Sequence, residues 1–277
     1  MGDFVTLVTR HEDKMKPVLP SGVKMRPGDE YDRRLPLSYK GQQNAFKTGE
    51  AGLAIPHNFD RGIVDRSTLV RTTMTGQHML AGAGYNPDDD NIIIWNPENA
   101  DIGLANGMAF DHPELPPYAP KLPEADNYVI GILRDFWSPK ESAEASRPAV
   151  AKVARAFMAN KIAAIEELMP LARQGAKVFH AQFTHAPVID SLDAALFGTV
   201  QYDESSGSMQ LDREKFPGHY AMGTFISGRW SGGTADNPTF EITGKKSAGG
   251  FDRVKTYSLD DMKRLTDRLY TESERRL

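Results

Sequence analysis

Phe4-Val5-Thr6-Leu7-Val8-Thr9-Arg10-His11 is the stretch on which the fold turns. Residues 4–9 are β-branched or apolar, the mark of a short buried strand, and the run stops at a cation followed by an imidazole. Lys177-Val178-Phe179-His180-Ala181-Gln182-Phe183 is a second such strand, and it delivers Thr184-His185. Two histidines therefore stand at the C-terminal ends of two strands. In an open α/β sheet that is where the crevice presents its functional groups.

Between these strands the pattern alternates. A helix is expected from Ser38, its N-cap, to Leu53, with Gly52 near its end. Gly62 to Asp65 reads as a strand, and Leu69 to Leu80 as a helix stopped by the glycines at 82 and 84. Asn91 to Trp95 is a third strand candidate. From Asn96 to Pro148 the chain is proline-rich and irregular, which suggests an insertion capping a pocket. Arg147 to Arg173 is the longest helical stretch, and Val188 to Phe197 a further helix. Beyond about residue 200 lie strand-like Ala221 to Ser227 and Thr239 to Thr243. The closing helix starts at Ser258, whose S-x-x-D spacing to Asp261 is a capping box. Alternating strands and helices imply an α/β fold with a mostly parallel central sheet flanked by helices. We expect a single domain over residues 1–277, with a cap-like insertion at about 96–148 and a C-terminal extension at about 200–277.

The totals exclude more than they select. A chain of 277 residues with 40% hydrophobic and 25% charged residues has ample material for a core. A net charge of −4 gives no nucleic-acid footprint and no polybasic membrane surface. The absence of cysteine removes disulfides, thiolate nucleophiles and cysteine metal sites. No apolar stretch approaches the roughly 20 residues of a membrane span, and no secretory leader is evident. The expected location is the cytoplasm.

Arg10 precedes His11, and Arg71 opens the helix after another strand. Two arginines and two histidines around one crevice would suit a phosphate dianion, because the guanidinium fork matches its oxygens. Four segments now carry a resemblance. VTLVTRH (5–11) is similar to the strand-plus-RH signature of the histidine phosphatase superfamily. LPLSYKGQQNA (35–45) resembles the family's PLTEKGREQA segment, STLVRTTMT (67–75) its SPLKRARQT segment, and THAPVI (184–189) its second-histidine segment, THGGVI. They occur in the family's order and span residues 4–198.

The resemblance implies a phosphoglycerate-mutase-like fold and a phosphohistidine mechanism that needs no cofactor and no metal. His11 would take the phosphoryl group, with Arg10, Arg71 and His185 holding its oxygens. One branch of the family places its general acid directly after the second histidine, where this chain has Ala186. The chain is nearer to the other branch, whose acid lies between the second arginine and the second histidine. Glycine alignment there favours Asp101, with Glu98 in reserve.

Two residues depart from the pattern. Glu12 replaces the glycine that usually follows RH. Lys14 sits where another branch carries an extra phosphate-binding arginine, and it either binds phosphate or neutralises Glu12 and Asp13. His180, inside a buried strand, reads as structural, and its spacing to His185 fits no metal motif. The expected activity is hydrolysis of a phosphorylated small molecule, a phosphoprotein not being excluded. A phosphoglycerate-type mutase and a non-catalytic phospho-ligand or protein-binding module are the alternatives.

Overall fold

β1 (Asp3–Arg10) lies at the join between two halves of a seven-stranded sheet. The computed structural model describes residues 2–16, 21, 34–52, 55–67, 69–96, 142–197, 200–203, 208–211, 223–245 and 252–273. In chain order the elements are β1, α1 (Tyr39–Glu50), β2 (Arg61–Arg66), α2 (Val70–Gly82), β3 (Ile93–Asn96), α3 (Ser142–Arg173) and β4 (Lys177–Thr184). There follow α4 (Ala186–Leu196), a two-stranded hairpin of β5 (Val200–Asp203) and β6 (Ser208–Leu211), β7 (Phe225–Gly233), β8 (Pro238–Lys245), β9 (Asp252–Ser258) and α5 (Leu259–Ser273).

The α/β class expected from the sequence is the one observed, and the sheet is mixed. β3, β2, β4 and β1 pair in parallel. β7, β8 and β9 extend the sheet from β1 as an antiparallel meander. Strands of the parallel half bury both faces, which is why their sequences run apolar without alternation. Val5 and Leu7 of β1 face the cluster that also holds Val64, Met79, Leu80, Phe179 and Phe183. Phe4 and Val8 face the opposite cluster, with Met158, Ile165 and Leu168 of α3, Ile189 of α4 and Met262 of α5. Helices α1 and α2 thus cover one face, and α3, α4 and α5 the other.

Several boundaries follow their local chemistry. Ser38 caps α1, its Oγ accepting from Gly41 N at 3.0 Å. Gly52 takes φ +63 just past that helix, a conformation glycine adopts without strain. The Ser258–Asp261 capping box forms in both directions, Ser258 N donating to Asp261 Oδ2 at 3.0 Å and Asp261 N to Ser258 Oγ at 3.1 Å. His57 sets its two ring nitrogens against the Ala83 and Glu50 carbonyls, at 2.8 and 3.1 Å, and so ties together the ends of α2 and α1.

Other boundaries differ from expectation. Helix α3 begins at Ser142 rather than Arg147, taking in Pro148, which the sequence reading had placed at a helix start. Most of the expected insertion at 96–148 lies outside the described residues. The sequence reading missed the β5–β6 hairpin and β9.

Candidate active site

The chain order makes a crevice at the C-terminal ends of β1 and β4. These strands are neighbours, yet the chain leaves β1 toward α1 on one face and leaves β4 directly into α4 on the other. Such a topological switch point opens a cleft beyond the strand ends. Arg10 pairs with Thr184 in register, and His11 N donates to the Thr184 carbonyl at 2.9 Å. His11 and His185 consequently emerge side by side, their ring centroids 5.4 Å apart. The start of β7 closes the other side of β1: the Thr224 carbonyl accepts from Arg10 N at 3.0 Å and from Thr9 Oγ1 at 3.1 Å.

His11 is buried, and both ring nitrogens are engaged. Its Nδ1 lies 2.7 Å from the carbonyl of Glu12, which can only accept, so Nδ1 carries the proton. Its Nε2 accepts from Arg71 Nε at 3.2 Å and therefore presents a lone pair. Burial, then the charge of Arg71, and then those of Arg10 and Lys14 lower the His11 pKa to about 3, against the opposing pull of the Glu12 carbonyl. The imidazole is neutral at ordinary pH.

His185 stands at the N-cap position of α4, with Pro187 in the first turn. Its Nε2 is 3.0 Å from Ser67 Oγ. Ser67 Oγ is in turn 3.0 Å from Thr72 Oγ1, which donates to the Leu69 carbonyl at 2.7 Å. The terminal carbonyl sets the direction of this chain: Thr72 gives its proton to Leu69, Ser67 gives its own to Thr72, and His185 Nε2–H gives to Ser67. The His185 pKa is also driven well below its usual value, by burial first and then by His11, Arg71, Arg10 and Lys14. Among the described residues the charges that act on the two rings are positive, which is the field a phosphate dianion would meet.

Arg71 lies buried in the first turn of α2. Cations are ordinarily unfavourable there, and a bound anion would resolve the conflict. Arg10 and Lys14 both lie close enough for their charges to act on the two histidine rings.

Glu12 is buried, and its carboxylate is turned toward Gly223, Asn44 and Lys40. Its backbone N–H donates to Thr75 Oγ1 at 3.2 Å, and that hydroxyl donates to the Arg71 carbonyl at 2.8 Å. The backbone at Glu12 thus links the turn after β1 to the helix that carries Arg71. Gly223 has φ +72, and a Cβ there would fall on the Glu12 carboxylate. Burial raises the Glu12 pKa.

The structure thus brings together His11, Arg10, Arg71, His185 and Lys14. Asp101 and Glu98 lie outside the described residues. Sequence reasoning missed the supporting roles of Ser67, Thr72, Thr75 and Gly223. Ser67 had a signal, since it opens the segment that carries Arg71.

No family model and no curated protein matches the sequence. Solved structures similar to the chain include a mycobacterial glucosyl-3-phosphoglycerate phosphatase, at 17% identity over 89% of this chain and 99% of that one, with a TM-score of 0.45. A phosphoglycerate mutase from Bacillus anthracis is similar at 15% identity over 97% of each chain, with a TM-score of 0.43. A candidate phosphohistidine phosphatase, SixA, from Agrobacterium tumefaciens is similar at 9% identity over 81% of this chain and 90% of that one, with a TM-score of 0.36. Among the described residues no helix is long and apolar enough to cross a membrane.

Proposed function

We propose that the chain hydrolyses phosphomonoesters through a phosphohistidine on His11. One observation carries this reading: His11 is held neutral, with its Nδ1 proton tied to a backbone carbonyl and its Nε2 lone pair on the side of Arg71. A nucleophile toward phosphorus needs that lone pair, and the phosphoryl group needs cations around its non-bridging oxygens.

When substrate enters, Arg71 exchanges its bond to Nε2 for bonds to phosphate oxygens, and the lone pair faces phosphorus. Nε2 forms the N–P bond as the ester P–O bond breaks. Arg10 and Arg71 spread the charge of the transferring group, Lys14 adds to the positive field, and His185 takes up a proton on Nδ1 once the dianion is bound and then donates to a phosphate oxygen. The departing oxygen takes its proton from a general acid, for which Asp101 is the first candidate and Glu98 the second. Water then attacks the phosphohistidine, releasing phosphate and restoring neutral His11. The substrate is a phosphorylated small molecule, and the reaction takes place in the cytoplasm.

The test is hydrolysis of p-nitrophenyl phosphate in EDTA by the wild type and by His11→Ala. The proposal expects turnover by the wild type and a loss of at least about a thousandfold in the variant. Equal turnover by both proteins would overturn it.

A further inference from the structure

A second polar cluster lies inside the molecule, beneath the two histidines. Met158, Lys161, Ile165 and Leu168 follow one another on the buried side of α3, so a lysine occupies a position that helical spacing assigns to an apolar residue. Lys161 is 2% exposed. Asp65 of β2 and His180 and Gln182 of β4 complete the cluster, all of them buried. One oxygen of Asp65, Oδ2, accepts from His180 Nε2 at 2.8 Å and from Gln182 Nε2 at 3.2 Å. The remaining polar atoms, Asp65 Oδ1, Gln182 Oε1, His180 Nδ1 and Lys161 Nζ, have no partner among the described residues.

Four buried polar atoms in one cluster call for a ligand, because a buried polar group left without a hydrogen bond is costly. Their chemistry selects which. With Nε2–H donating to Asp65, His180 Nδ1 holds a lone pair, so the set offers three acceptors and one multiple donor. A metal ion would be repelled by the Lys161 ammonium, and an anion would face Asp65. Water both donates and accepts, and internal waters ordinarily make about three hydrogen bonds.

The cluster also has a place in the architecture. Ser67 follows Asp65 by two residues and His185 follows Gln182 by three, and the Ser67–His185 contact joins the ends of the same two strands. We propose that Asp65, Lys161, His180 and Gln182 form an internal hydrated ion-pair site that locks the ends of β2 and β4 and so positions the His185 ring through Ser67. The hydrated site stands on its own, whereas its service to catalysis rests on the phosphoryl-transfer reading.

Burial lowers the Lys161 pKa to about 7 against the favourable charge of Asp65. Asp65 is the titratable group of the neighbouring strands that acts on it, and Asp65, Lys161 and Glu167 act on His180.

The experiment compares wild type with Lys161→Met, which keeps the aliphatic stem and removes the charge and its donors. A high-resolution crystal structure of the wild type should show ordered water bonded to Lys161 Nζ and to at least two of the three free acceptors. A dry cluster with a direct Lys161–Asp65 bond would overturn the hydrated site. The variant should shift the His185 Nε2 resonance in nitrogen NMR and lower kcat on p-nitrophenyl phosphate about tenfold, with KM little changed. An unmoved His185 resonance in a folded variant would overturn the positioning role.

Stability gives a further readout. The wild-type melting temperature should rise between pH 7 and pH 10, as the buried ammonium's penalty, full below its folded pKa, is relieved toward the unfolded value. That slope should flatten in the variant, and an unchanged slope would count against a buried charge. Should Lys161→Met fail to fold, Gln182→Met serves with the crystallographic and NMR readouts. If the wild type hydrolyses nothing, the proposed function falls while the water and the His185 resonance still decide this inference.

Discussion

His11 carries two hydrogen bonds of opposite sense, and together they decide its protonation. The proton is fixed on Nδ1 by the Glu12 carbonyl and the lone pair on Nε2 faces Arg71. A histidine whose folded pKa lies at about 3, below its ordinary 6.5, costs the fold stability in acid. The unfolded chain binds the proton first, so stability should fall as pH drops from 6.5 toward 3, by an upper bound of roughly 5 kcal/mol from this residue. Urea unfolding at several pH values should show that loss, and His11→Gln should reduce it; an undiminished loss would mean His11 is not buried neutral. Ser67 makes a second test. With Ser67→Ala, His185 loses the oxygen that fixes its ring, and kcat/KM should fall about tenfold or more while the fold remains. An unaltered rate would show that His185 needs no such support.

These residue-level features were unequally legible. Arg10, His11, Arg71 and His185 stand at strand ends or in the first turn of a helix, where the type of residue is itself informative. The partners of His185 were not readable, because Ser67 and His185 meet only when β2 and β4 pair. Glu12 was readable as a departure but not as a link to Thr75, which depends on where α2 packs.

At the scale of elements, local rules worked where capping chemistry is explicit. Ser38 and Ser258 were legible because a side-chain oxygen before a helical stretch has one common use. Ser258→Ala should lower stability by about 1 kcal/mol, measured as a fall of a few degrees in melting temperature, without changing activity. A fall in activity of the same proportion would mean that α5 is coupled to the site. β9 failed the same reading. Asp252-Arg253-Val254-Lys255-Thr256-Tyr257-Ser258 mixes charged and polar residues because it is the edge strand, with Val254 exposed and Tyr257 buried. Its burial is supplied by contacts distant in sequence: Tyr257 donates to the Leu196 carbonyl, and Arg253 pairs with Asp193 of α4. Nothing local announces those partners.

The molecule as a whole divides along β1. The parallel half was legible because strands buried on both faces write continuous apolar runs into the sequence. The antiparallel half was legible in part: the strand-like stretches at 221–227 and 239–243 overlap β7 and β8, whereas β9 and the order of the meander depend on pairing that no local run announces. The site lies at the seam. β1 and β4 give it the two histidines from the parallel half, and the Thr224 carbonyl at the start of the meander holds the end of β1 from the other. A crevice of this kind places a neutral imidazole among cations, which is the requirement for phosphoryl transfer to nitrogen. The most direct test is to quench the wild type in alkali during turnover of p-nitrophenyl phosphate and map the phosphorylated peptide by mass spectrometry. An acid-labile phosphoryl group should appear on His11 and be missing from His11→Ala. A phosphoryl group on another residue, or turnover that survives the substitution, would contradict it.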